Sequence, residues 1–125
     1  NLDRALEFYR GLLGFRVLGH VDVQQGMREL TVTHLETGNA RLQLFSFANE
    51  TVQPVSTAVD VTQAGLQHLV VPVNQLDAIV EQLACADVTF TLEPSDVAGT
   101  RIAFCTDPDG TPIALTEGDF VYSRR

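Results

Sequence analysis

The sequence predicts an α+β fold built from two β-α-β-β-β modules, and three observations lead to it. A capped, amphipathic helical segment occurs twice, beginning at Asn1 and at Asn74. Each copy is followed by three strand-like segments in the same order, the last two joined by a turn. The spacings also agree: Asn1 to Phe15 and Asn74 to Val88 are both fourteen steps, and Gly38 to Gly110 is seventy-two against seventy-three between the two Asn residues. An internal repeat of this kind marks a duplicated supersecondary unit.

The first copy opens on Asn1, whose side-chain oxygen suits a helix N-cap. Ala5, Phe8, Tyr9, Leu12 and Leu13 follow at i, i+3, i+4, i+7 and i+8, which gathers apolar groups on one helical face. Then come "FRVLGHVDV", "MRELTVTHL", the turn "ETGN" and "ARLQLFSF". The second copy reads "GLQHLVVPV", "NQLDAIVEQLACAD", "VTFTLEP", "TRIAFCT", the turn "DPDG" and "PIALTE". Alternating apolar and polar residues in "RLQLFSF" and "RIAFCT" predict half-buried strands, and the Gly, Asn, Asp and Pro residues supply the turn chemistry. Module one covers 1–47, a connection without clear period covers 48–64, and module two covers 65–117, all within a single domain of 1–125. The second copy has a strand, 65–73, ahead of its helix and the first has none, so an equivalent strand is expected upstream of Asn1.

At 125 residues the chain suits one domain with a real core, and 45% hydrophobic against 19% charged residues fits a globular protein. No apolar run approaches a membrane span, so no membrane partner is expected. The net charge is −8 and all the basic residues are arginines scattered without a run, which argues against nucleic acid. Without lysine, Schiff-base chemistry and lysine general bases are excluded. The acidic balance is read as ordinary solubility, with a cationic ligand as the other option. "GLLG" ends a helix and is not a phosphate loop. Cys85 and Cys105 sit in apolar stretches and are expected as two buried thiols, with a reducing cytoplasm as the location.

Two such modules, with "DRALEFYRGLLGF" in the first and "FCTDPDGTPIAL" in the second, resemble the vicinal oxygen chelate superfamily of glyoxalases, bleomycin-resistance proteins and dioxygenases. The resemblance covers nearly the whole chain. It implies a curved mixed-sheet trough with helices outside, a small-molecule ligand inside, and a homodimer. It implies also a divalent metal held by strand residues, typically His, Glu or Gln, His and Glu.

Carried over residue by residue, the resemblance places His68 of "GLQHLVV" and Gln43 of "RLQLF" at metal positions. Strand parity agrees: Leu69, Val71 and Val73 face one way and His68 the other, and Leu42 and Leu44 face away from Gln43. A further His is expected about six residues before Asn1, from the spacing of His68 to Asn74. The last position fails. The family pattern DPDG-x-x-[IL]-E-[LF] is met by "DPDGTPIALTE", so Ala114 replaces the expected acid, and Glu117 has the opposite parity and would need a bulge to reach the same face. The metal set is therefore weak or incomplete: no cofactor is expected, with a divalent metal as the alternative.

Gln43, His68, Phe45, Arg41 and Phe104 are the expected ligand-binding residues, each with a plainer reading beside it. Phe45, Phe47 and Phe104 also suit a core. His34 and Arg41 flank the "ETGN" turn and read more simply as a solvated hairpin end. Asp107 and Asp109 belong to a turn in which carboxylates satisfy backbone donors. No serine carries the signature of an activated nucleophile, and no catalytic residue is assigned. Two functions follow. One is a binding protein with a degenerate metal site that sequesters a small apolar or cationic molecule. The other is a metal-dependent lyase, isomerase or epimerase, or dioxygenase of the glyoxalase type, with a degenerate metal set or with metal-free acid/base chemistry through His68.

Overall fold

A computed structural model describes residues 1–55 and 62–120. It divides into two compact units, 1–54 and 55–125, and the division falls inside the connection expected at 48–64.

Unit 1 begins with α1 (Leu2–Leu6), capped as expected: Asn1 Oδ1 accepts from the Arg4 N–H at 3.2 Å. The helix then widens into π-helical turns over Glu7–Leu12, with the Leu13 N–H reaching back to the Phe8 carbonyl. Ala5, Phe8 and Tyr9 are buried, as the periodicity requires, while Leu12 and Leu13 are only half-buried because the wider turns rotate them off the face. Tyr9 joins Phe8 edge-on, ring centroids 4.9 Å apart, and lies 5.6 Å from Phe15. Three antiparallel strands follow, β1 (Arg16–Gln25), β2 (Arg28–Thr37) and β3 (Ala40–Phe47), in the order β1-β2-β3. A bulge between Val17 and Gly19 shifts the β1 register by one residue.

Unit 2 holds β4 (Leu69–Pro72), α2 (Leu76–Cys85), β5 (Phe90–Val97), β6 (Thr100–Thr106) and β7 (Pro112–Glu117). The sheet order is β4-β7-β6-β5, with β4 parallel to β7 and the other pairs antiparallel. That is the order a β-α-β-β-β module produces when its helix carries the chain from the first strand across to the far edge. Helix α2 packs against β5, β6 and β7 and buries Leu76 and Leu83, facing Ala103, Ile113 and Leu115, all fully buried. The α+β class expected from the sequence holds, with two helical segments and two sheets among the described residues.

Three expectations are corrected in detail. The strand expected over 65–73 is limited to Leu69–Pro72, so His68 lies just before it. Asn74 does not cap the second helix; Gln75 occupies that position without a side-chain bond, and the free Leu76 N–H is instead taken by Glu117 Oε1 at 3.1 Å. Cys85 is exposed, because it ends α2 on the side away from Leu76 and Leu83, whereas Cys105 is buried as expected; both are free thiols. Residues 56–61, part of the expected connection, and Ser123 lie outside the described residues.

Candidate functional site

In unit 1 the register fixes which side chains share a face. His34 pairs with Gln43, Glu36 with Arg41 and Val32 with Phe45, so Arg41, Gln43 and Phe45 of β3 stand on one face with His34 and Glu36 of β2. Leu42 and Leu44 point to the other, beside the fully buried Thr33 and Leu35. Phe45 is 55% exposed and is not core, although an aromatic ring in "RLQLFSF" suits a core equally well by composition. Arg41 and Gln43 are exposed too, and Glu36 is held by an ion pair to Arg16 across the strand.

In unit 2 the pairing Val70 to Ala114 and Ala114 to Phe104 sets the corresponding face. His68 belongs to it: its ring meets Phe104 edge-on, centroids 5.0 Å apart. Leu92 of β5 pairs with Phe104 and extends the same apolar surface. Ala114 lies on this face between Val70 and Phe104, and its methyl group is 0% exposed. Glu117 stands on the opposite face with Arg101, toward α2. The β6-β7 register runs without interruption from Arg101 opposite Glu117 to Thr106 opposite Pro112, so no bulge turns Glu117 toward His68.

The turn between β6 and β7 uses its acids as expected. Asp107 Oδ1 accepts from the Asp109 N–H at 2.9 Å and the Thr111 N–H at 2.8 Å, and Gly110, at φ +90°, closes the turn onto the Asp107 carbonyl. Burial, with the Asp107 charge adding to it, pushes the Cys105 thiol up to about 11, which keeps it protonated and unreactive at neutral pH. The Arg101 guanidinium beside Asp77 of α2, at 2.8 Å, holds that carboxyl below the usual carboxylate range.

Among the described residues no three His, Cys, Asp or Glu side chains are grouped to hold an ion. His68 has the Phe104 ring for a neighbour, and the Glu117 carboxylate of β7 is engaged at a helix N-terminus. A hard cation needs anionic oxygen that this face does not supply.

Sequence reading missed three polar features. His20 Nδ1 lies 2.8 Å from the hydroxyl of fully buried Thr33. Thr100 Oγ1 is buried without a hydrogen-bond partner among the described residues. A cavity of about 490 Å³ lies in unit 1 at the Asp22, Thr31 and Ser46 row, where the Thr31 hydroxyl donates to Asp22 Oδ1 at 2.9 Å; it contains none of the residues expected to bind ligand. The signal for this row was the polar parity of "VDVQQ", "ELTVT" and "FSF", which alternation assigns only to a face.

Comparison with known proteins gives a consistent outcome. The sequence profile of the Glyoxalase/Bleomycin resistance protein/Dioxygenase superfamily matches residues 1–115. The chain is 29% identical over 121 residues to lactoylglutathione lyase of Haemophilus influenzae, covering 94% of this chain and 84% of that protein. It is similar to the structure of the trypanothione-dependent glyoxalase I of Leishmania major, with a TM-score of 0.70, 28% identity, and coverage of 94% and 78% of the two chains. An antibiotic-binding protein from a Streptomyces species, 22% identical, shares the fold with a TM-score of 0.64 and coverage of 95% and 88%.

Proposed function

The chain belongs to this superfamily, and on that premise we propose that it is a small-molecule-binding member with a degenerate metal site, whose ligand is held without a resident divalent ion. One observation carries this reading: the β7 position at which the family resemblance calls for an acid is a fully buried alanine on the same face as His68. Within unit 2 the residues proposed to bind ligand are His68 and Phe104; within unit 1, taken by itself, they are Arg41, Gln43 and Phe45. The fold itself serves antibiotic binding in a distant relative, a likeness that speaks to architecture alone.

The enzyme reading is favoured by a different observation, the likeness to lactoylglutathione lyase together with Gln43 and His68 at two matched positions. It makes the protein a metal-dependent lyase, isomerase or epimerase, or dioxygenase, with Gln43 and His68 among the metal ligands. The two readings part on metal and turnover. Protein purified without chelator is expected to carry well below one divalent ion per chain and to leave lactoylglutathione unchanged when Zn²⁺, Ni²⁺ or Mn²⁺ is added. It is expected to bind the neutral dye N-phenyl-1-naphthylamine saturably, and His68→Ala and Phe104→Ala each to weaken that binding severalfold. Stoichiometric metal with metal-dependent turnover gives the answer to the enzyme instead.

A cytoplasmic homodimer goes with the binding reading. The support for the dimer is the family resemblance carried by the two modules, which implies one. Light scattering at micromolar concentration checks it, a monomer counting against the dimer.

A further inference from the structure

One face of the unit 1 sheet is graded in polarity along the strands, and the grading is the same on all three. Nearest the Gly38 turn the cross-strand row is Arg16, Glu36 and Arg41, all charged. The next row is Gly19, His34 and Gln43, polar with one side chain missing at the β1 bulge. Beyond it stand Val21, Val32 and Phe45, of which Val21 is 51% and Phe45 55% exposed. A solvated hairpin end accounts for the first row alone; it leaves unexplained why the exposed apolar groups are collected behind it on the same side.

The charged row is unbalanced. Glu36 is taken by Arg16, and Arg41, although opposite Glu36 in register, has no ion pair or hydrogen bond among the described residues. Arg41 thus leaves a guanidinium fork free beside the Gln43 amide, and such a fork matches a carboxylate with two parallel hydrogen bonds. Along β3, Arg41, Gln43 and Phe45 stand on one side at intervals of two residues, so about 14 Å separates the Arg41 and Phe45 backbone positions.

We infer that this face recognises an amphiphilic monoanion, a small molecule whose carboxylate sits at Arg41 and Gln43 and whose apolar body lies along Phe45 and Val21. The inference rests on the small-molecule-binding reading and sharpens it by fixing the ligand's charge and its direction on the sheet. The overall charge of −8 points toward cations, but that field is screened within roughly 8 Å at physiological salt, whereas the guanidinium acts at contact distance. At that range local chemistry decides the sign.

The test uses three probes with one ten-carbon body and different ends: decanoate, 1-decanol and decylamine, titrated into the full chain by calorimetry. Decanoate is expected to bind at least tenfold tighter than decanol, and decylamine no better than decanol. Arg41→Gln is expected to abolish the advantage of decanoate while leaving decanol unchanged, Arg41→Lys to keep part of it, and Phe45→Ala to weaken decanoate and decanol together. Arg41 and Phe45 are exposed, so folding of the variants is checked simply by an unchanged circular dichroism melt. The inference is overturned if decylamine matches decanoate, if Arg41→Gln preserves the decanoate-to-decanol ratio, or if none of the three binds at millimolar concentration. Turnover with added metal bears on the binding reading and not on this ratio, so the two fail separately.

Discussion

In unit 1 the first helix is capped by the residue that begins it, Asn1, while in unit 2 the second helix is capped by Glu117, forty-one positions later and on the last strand of the sheet. The difference reaches beyond the caps. The cap of α1 involves no strand residue, whereas the Glu117 carboxylate ties the start of α2 to the end of β7, on the side of that strand that faces the helix. With Glu117 turned toward the helix, Ala114 and Thr116 face the side that carries His68. A carboxylate that could have served a ligand face instead completes a helix end, where the N–H groups and the helix dipole favour it.

The largest expected effect separates the two positions that the family resemblance assigns to the last strand of each module. Ala114→Glu forces a carboxylate into a fully buried position and should cost about 3 kcal/mol or more, read as a fall in Tm, with part of the loss recovered on adding Ni²⁺ beside His68. Gln43→Glu, at an exposed position, should change stability by less than about 0.5 kcal/mol. Equal melting temperatures for the two variants would mean that β7 is as open as β3.

The late turns give the next contrast. Gly110 combines φ +90° with a backbone so close that an added Cβ would stand 2.9 Å from the Val55 carbonyl oxygen, and Gly110→Ala should destabilise by about 3 kcal/mol. Gly38 has φ +56° and open space around it, so Gly38→Ala should cost only about 1 kcal/mol of backbone strain. Urea unfolding of both variants measures the gap directly.

Removing the caps sharpens the comparison itself. Glu117→Ala and Asn1→Ala should each cost about 1 kcal/mol. Hydrogen exchange distinguishes them: the Glu117 variant should lose protection in both α2 and β7, the Asn1 variant only in the first helical turn.

The smallest effect concerns the Asp77–Arg101 pair. The folded Asp77 carboxyl titrates below its unfolded value, so the stability it contributes is present above about pH 4 and is lost as the pH falls through the lowered folded value. Both groups are exposed, so added salt should largely erase the difference between Asp77→Asn and the parent at pH 7, measured as the Tm difference at low and high ionic strength.

Much of this was legible in the sequence. The repeat of helix and three strands, the cap at Asn1, the turn acids at Asp107 and the parity that sets Gln43 against Leu42 and Leu44 are all short-range patterns, and backbone geometry converts them into structure within a few residues. The face carrying Gln43 could be inferred from alternation alone, because successive side chains of a strand must point to opposite sides.

Other features depended on partners distant in the chain. Nothing near Asn74 or Gln75 says that the second helix will take its cap from Glu117, since that bond exists only once β7 lies beside the helix start. The same holds for the exposure of Phe45 and Cys85, which composition would bury, and for the graded row from Arg16 and Arg41 to Val21 and Phe45, which three separate strands contribute. The sequence by itself determined the order and type of the elements and, within a strand, which side each residue takes, because those follow from local backbone geometry. Tertiary structure decided which sides are covered and which charges are left free, because burial and ion pairing are settled by neighbours brought from elsewhere in the chain.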